Sequence, residues 1–128
     1  EPLSWIHGDL HMGNALVRAD GSVCLVDLAE FRPGHWLEDA LYLERMYWSR
    51  PERIQQDDPV GTMARSRTEL GLKNGPHVED LAMARRLLLA ATTPAFLAHE
   101  GSRAHVAACL STLEDGLDFW SAEHARTA

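Results

Sequence analysis

The apolar positions of this chain fall into two regimes. Up to residue 28 they form short β-prone runs: Trp5-Ile6, then Ala15-Leu16-Val17, then Val23-Cys24-Leu25-Val26, with polar and glycine-bearing stretches between them. Asp20-Gly21 stands between the last two runs, and Asp-Gly flanked by β-prone residues is a strong local hairpin signal. Two short antiparallel strands are therefore expected, with Asp27 ending the second. Beyond them everything is helical in pattern. Trp36 to Ser49 carries apolar residues at 36, 40, 43 and 47 and stops before Pro51. The stretch "RPERIQQDDP" that follows has no periodicity and reads as a loop. Asp58 is a natural N-cap with Pro59 at the first helical position, opening a helix that ends near Gly71. A third helix follows Pro76, with Val78, Leu81, Leu88 and Ala91 at helical spacing, and Pro94 should kink or break it. The last starts at about Ser102, where Val106, Leu110, Leu113, Leu117 and Trp120 form a stripe expected to face the core. The fold class this predicts is α+β, predominantly helical, with one short β-hairpin. There are no repeats, low-complexity tracts or internal linkers.

Composition narrows the setting. The chain has 128 residues, one domain's worth, with 45% apolar and 24% charged residues, as in an ordinary globular protein. No apolar run is long enough to cross a bilayer, and Glu1-Pro2 begins no signal peptide. Cys24 and Cys109 lie far apart in apolar surroundings and read as free thiols of a reducing compartment, so the expected localisation is cytoplasmic. A net charge of -7 argues against nucleic acid as a partner, which needs a basic face. It would suit a cationic small molecule, although most acidic surfaces merely solvate. Nothing in the pattern speaks to oligomeric state.

The candidate chemistry lies in "HGDLHMGN", His7 to Asn14, directly before the first hairpin strand. A hairpin brings its two open ends together, so Asp9, Asn14 and Asp27 should converge. Two carboxylates and a carboxamide are hard oxygen ligands, suited to Mg²⁺ rather than zinc. If Asn14 and Asp27 hold metal, Asp9 is left to accept a proton from an incoming hydroxyl. That division of labour is the one phosphoryl transfer uses.

His7-Gly8-Asp9 followed by Asn14, then Val26-Asp27, then Gly34 and Glu38-Asp39-Ala40, resembles the aminoglycoside phosphotransferase and choline kinase-like family, whose fold is protein-kinase-like. The first four of these residue types, at their fixed spacing, arise by chance on the order of once per 10⁵ positions at ~5% usage each. The resemblance implies a C-terminal lobe in which Asp9 is the catalytic base and Asn14 and Asp27 are Mg²⁺ ligands. It implies that His7 braces the loop and that Asp39 anchors it by hydrogen bonds. The reaction it implies moves the γ-phosphate of ATP to a hydroxyl of a small molecule, aminoglycoside- or amino-alcohol-like. The match is sharp over roughly residues 5 to 45; beyond them only helical character agrees.

Three departures stand out. Leu28-Ala29 follows the metal aspartate, where the family often has tryptophan, phenylalanine or glycine. Asp39 is followed by Ala40-Leu41 rather than Leu-Ala. No glycine-rich strand-turn or early-strand lysine precedes His7, and the only lysine is Lys73. The nucleotide lobe is thus expected to be absent, making residues 1–128 a fragment that by itself binds ATP weakly at best and is inactive.

Two other classes remain in view. His7, Asp9 and His11 could serve a metal-dependent hydrolase, with His35 the nearest further ligand. Alternatively the lobe could be a non-catalytic interaction module. His11 and Glu38 have milder readings, as a loop histidine and as a first-turn charge that offsets the helix dipole. The acidic run Glu114, Asp115, Asp118 and Glu123 reads as a solvated face. The acceptor itself is not encoded in any motif.

Overall fold

The structure, a computed structural model, describes residues 3–53, 58–97 and 102–127. The chain divides into two compact units, Glu1–Tyr47 with Glu52–Pro76, and Trp48–Pro51 with His77–Ala128. The fold is α+β and predominantly helical, as expected.

The first unit contains strands β1 (Ser4–Ile6), β2 (Ala15–Val17), β3 (Val23–Leu25) and β4 (Arg32–Gly34) and helices α1 (Leu37–Arg45) and α2 (Pro59–Glu69). Strands β2 and β3 form the expected hairpin, with Ala15 opposite Leu25 and Val17 opposite Val23. Asp20 closes its turn by accepting from the Ser22 amide at 2.9 Å. A second antiparallel pair joins β1 to β4, with Ser4 opposite Gly34 and Ile6 opposite Arg32. This corrects the expectation of one hairpin followed only by helices. Its strands are three residues long, separated by the whole first hairpin, and one carries Pro33, so no local pattern announces them. Trp5 on β1 stacks on Phe31 just before β4, with ring centroids 5.0 Å apart.

Helix α1 begins one residue later than Trp36 and gives way to turns after Arg45, short of Ser49. Its buried stripe, Leu37, Ala40 and Leu41, packs with Ile6 and Trp36 as the core of this unit. Trp36 also donates its indole N–H to the Asn74 carbonyl at 3.2 Å. Arg67 lies over the Trp36 ring and donates to the Lys73 carbonyl at 2.9 Å, which ties the loop after α2 back to its helix. Helix α2 starts as expected, with the Asp58 carboxylate accepting from the Gly61 amide at 3.0 Å. It ends in a paired cap: Leu72 N–H donates to the Arg67 carbonyl and Gly71 N–H to that of Thr68. Gly71 sits at φ 73° there, the left-handed residue such a cap requires. Within the stretch expected to be a loop, 51–53 is helical, and 54–57 lie outside the described residues.

The second unit is built on α3 (Val78–Leu97) and α4 (Arg103–Thr127). Ser102 caps α4 as expected, accepting from His105 N–H at 3.2 Å. Pro94 does not break α3, which continues to Leu97. The buried faces are not the leucine stripes. Leu81 and Leu88 on α3 are exposed, as are Leu110 and Leu117 on α4. Buried instead are Ala82, Ala90 and Thr93 on α3 and Cys109 and Gly116 on α4. A Cβ at Gly116 would come within 2.5 Å of Leu87 Cδ2 and 3.4 Å of Met83 Sδ, so side chains of α3 fill the space that the glycine leaves on α4. Glu114, Asp115 and Asp118 are exposed, in keeping with a solvated face, and the Glu123 side chain lies outside the described residues. No described helix is long and apolar enough to cross a membrane.

The two faces of α4 should respond differently to substitution. Gly116→Val forces side chains apart and is expected to cost about 1–3 kcal/mol in chemical denaturation. Leu117→Gln, on the exposed face, should stay within about 0.5 kcal/mol of wild type. A larger cost for the second would place the leucine stripe in the core after all.

Candidate active site

The loop from His7 to Asn14 is held from below by one side chain. Asp39, 8% exposed in the first turn of α1, accepts from the His7 amide at 2.7 Å through Oδ2 and from the Gly8 amide at 2.8 Å through Oδ1. Hydrogen bonds to an ionised acceptor are about twice as strong as neutral ones. Gly8 adopts φ 83°, and a Cβ there would meet the Glu30 carbonyl oxygen at 2.5 Å, so both backbone conformation and space demand glycine. His7 is buried and fully used: Nδ1 accepts from the Asp9 amide at 3.4 Å and Nε2 lies 2.9 Å from the Val26 carbonyl. The network assigns the proton to Nε2. His7 therefore braces the loop against the residue just before Asp27.

Above this clamp the chemical groups meet. Asn14, 7% exposed, donates from Nδ2 to the Asp9 carbonyl at 3.0 Å and to Asp9 Oδ2 at 3.4 Å. Its amide nitrogen is thereby spent, which leaves Oδ1 as the atom able to serve as a ligand. The Val26 amide donates to the Asn14 carbonyl at 3.0 Å, one step beyond the last hairpin pair, so Asp27 follows immediately beside Asn14. Asp27 holds φ 58° and ψ 63°, a left-handed conformation uncommon outside glycine, and its side chain makes no capping bond to the helical turn it precedes. His11 Nε2 lies 3.7 Å from Asp9 Oδ2, while its Nδ1 accepts from the Gly13 amide at 3.1 Å.

One contributor was not foreseen from sequence. Tyr42, on α1 one turn beyond Asp39, stands near enough to Asp9 for that carboxylate to act on its phenol. Burial pushes the Tyr42 phenol up from its ordinary value and neighbouring Asp9 adds to this, against the pull of nearby Arg45. The Arg45 guanidinium lies 4.2 Å from the centre of the Tyr42 ring. The spacing from Asp39 to Tyr42 on one helix face was the available signal, since residues three apart point the same way. Glu38, by contrast, is engaged at the start of its own helix. It pairs with Arg32 at 2.8 Å and accepts from the His35 amide at 3.1 Å, the arrangement of a first-turn carboxylate that caps its own helix.

The donor set suits a hard divalent cation that keeps most of its shell from water and phosphate. Mg²⁺ is commonly held by one or two protein oxygens plus substrate phosphates, and Asn14 Oδ1 with the Asp27 carboxylate would supply such a pair. The alternative trio of His7, Asp9 and His11 does not fit a metal, because both His7 ring nitrogens are engaged. Among the described residues, moreover, no group of three or more His, Cys, Asp or Glu side chains could hold an ion. Neither Cys24 nor Cys109 is in a disulfide.

Residues 1–120 match the model of a phosphotransferase enzyme family designated APH, and the chain belongs to that family. Neither a curated protein nor a solved structure matches it significantly.

The clamp carries a stability prediction. Asp39→Ala leaves two backbone donors without their carboxylate, each costing about 1–3 kcal/mol, so an overall loss of about 2–5 kcal/mol is expected in urea denaturation. Asp39→Asn, which retains one acceptor oxygen, should lose roughly half as much. A loss below about 1 kcal/mol for Asp39→Ala would mean that the loop is held by something else.

Proposed function

We propose that the chain is the C-terminal, catalytic lobe of a cytoplasmic small-molecule kinase, which transfers the γ-phosphoryl group of ATP to an acceptor hydroxyl. The observation that carries this reading is the state of Asp9. Its carboxylate accepts from Asn14 Nδ2 and has Tyr42 beside it, on a loop clamped by Asp39, and the backbone of Asp27 directly follows Val26, which pairs with Asn14. A carboxylate so fixed can hold an acceptor hydroxyl in one position and take its proton as the oxygen bonds to phosphorus. The bond between the γ-phosphorus and the bridging oxygen then breaks, and ADP leaves with that oxygen.

Asn14 Oδ1 and Asp27 would hold Mg²⁺, which when bound neutralises charge on the transferred phosphate. The remaining work belongs to the chain. Asn14 Nδ2, with Tyr42 nearby, restrains the Asp9 carboxylate, so little reorganisation is needed when the hydroxyl arrives. Asp39 and His7 act through the backbone and should not touch the substrate. Membership of a phosphotransferase family supports the same reaction class. Hydrolysis at a metal held by His7, Asp9 and His11 lacks comparable support, since His7 has no nitrogen to offer.

The test is Asp9→Asn in the full-length protein, assayed for transfer from Mg-ATP with an acceptor it phosphorylates. A general base contributes about 10²–10⁴ in rate, so a fall in kcat of at least about 100-fold is expected, with stability nearly unchanged. A fall of less than about 10-fold would remove Asp9 from this role.

A further inference from the structure

Beside the catalytic loop the first unit contains a cavity of about 590 Å³. That is within the size range of sites for small organic ligands. Its walls come from three segments. Met12 lies on the loop between Asp9 and Asn14, Leu43 and Tyr47 lie on α1, and Pro59 and Met63 lie on α2. Met12 stands three residues past Asp9 on the same loop, so the cavity adjoins the loop that carries the group that would take the proton. Thr62 and Ser66 add two hydroxyls on successive turns of α2.

The charge of this lining runs against that of the chain. The net charge is -7, yet among the described lining residues there is no carboxylate, and the charged group is the guanidinium of Arg53. A polycation entering here would meet an apolar wall and a like charge. An apolar body suits the two methionines, the leucine and the tyrosine ring, while a negative substituent would find Arg53. Methionine-rich walls also adapt to varied apolar shapes.

We infer that this cavity, formed by Met12, Leu43, Tyr47, Met63 and Arg53, is the acceptor site, and that it takes an apolar hydroxyl compound bearing an anionic group rather than a cationic one. The inference rests on the proposed phosphotransfer for the word acceptor, and on the cavity alone for the charge preference.

Three probes of equal shape separate the possibilities: 4-(hydroxymethyl)benzoate, 1,4-benzenedimethanol and 4-(aminomethyl)benzyl alcohol, being anionic, neutral and cationic. Binding of each to the full-length protein is measured by calorimetry, and transfer of phosphate from Mg-ATP is followed separately. Affinity should fall in the order anion, neutral, cation, with about fivefold or more between the extremes, as a partly solvated ion pair allows. Arg53→Glu should invert that order, and Met63→Trp, which fills the cavity, should weaken all three. Equal or tighter binding of the cation by wild type, or an order that Arg53→Glu leaves unchanged, overturns the inference. Preferential binding of the carboxylate without any phosphate transfer upholds the cavity's preference and contradicts the phosphotransfer reading instead.

Discussion

The carboxylate of Asp39, accepting from two consecutive backbone amides, is the interaction on which the rest of the site depends. Those amides belong to His7 and Gly8, so the next residue, Asp9, leaves the clamp with its direction already set. A buried carboxylate is costly unless it is hydrogen-bonded. Here two N–H donors satisfy it, and the bonds join the start of α1 to the strand-to-loop junction of β1. Ile6, immediately before the clamp, is 2% exposed in the core beside Leu37 and Leu41, so apolar packing and the polar anchor hold the same junction.

From that anchor the other groups follow by short covalent and hydrogen-bonded steps. His7 bridges the loop to the Val26 carbonyl at 2.9 Å, and the Val26 amide reaches the Asn14 carbonyl at 3.0 Å. The two ends of the β2–β3 hairpin are thereby tied to each other and to the loop below. Asp27 sits at the outlet of this network in a left-handed conformation. Backbone in that region is held there by its surroundings when the residue is not glycine. Chemical groups far apart in sequence thus share one small volume, although the strands that carry them are only three residues long.

Much of the first unit was legible because its determinants are local. Asp20-Gly21 dictates a turn, Asp58-Pro59 dictates a helix start, and the hairpin then forces Asn14 and Asp27 together. The pairing of β1 with β4 was not legible, because it joins segments 28 residues apart by numbering (Ser4 to Arg32) through backbone bonds that any side chain permits. Tyr42 escaped notice for a related reason. A tyrosine on an amphipathic helix looks like packing, and only the fold brings it near Asp9. The helix pair of the second unit misled in the opposite direction. The stripe of the last helix, with Leu110 and Leu117, is expected from its spacing to face the core, yet both leucines are exposed. The buried positions are instead the small ones, Ala82, Ala90, Cys109 and Gly116, and at Gly116 the missing side chain leaves room for Leu87 and Met83. The cavity beside Met12 was also hidden, since its walls come from segments with no common motif.

Under the proposed phosphotransfer, the Asp39 clamp, remote from the chemistry, sets the geometry of Asp9, Asn14 and Asp27. This is tested most directly by Mn²⁺ as a paramagnetic substitute for Mg²⁺, with the affinity of the full-length protein for Mn-ATP read from water-proton relaxation. Asp39→Ala, which removes neither proposed metal ligand, should weaken Mn-ATP binding at least about 10-fold under conditions where the variant remains folded, approaching the effect of Asn14→Ala. Unchanged binding in a folded Asp39→Ala variant, with binding lost in Asn14→Ala, would contradict the account by showing that the site keeps its shape without the clamp.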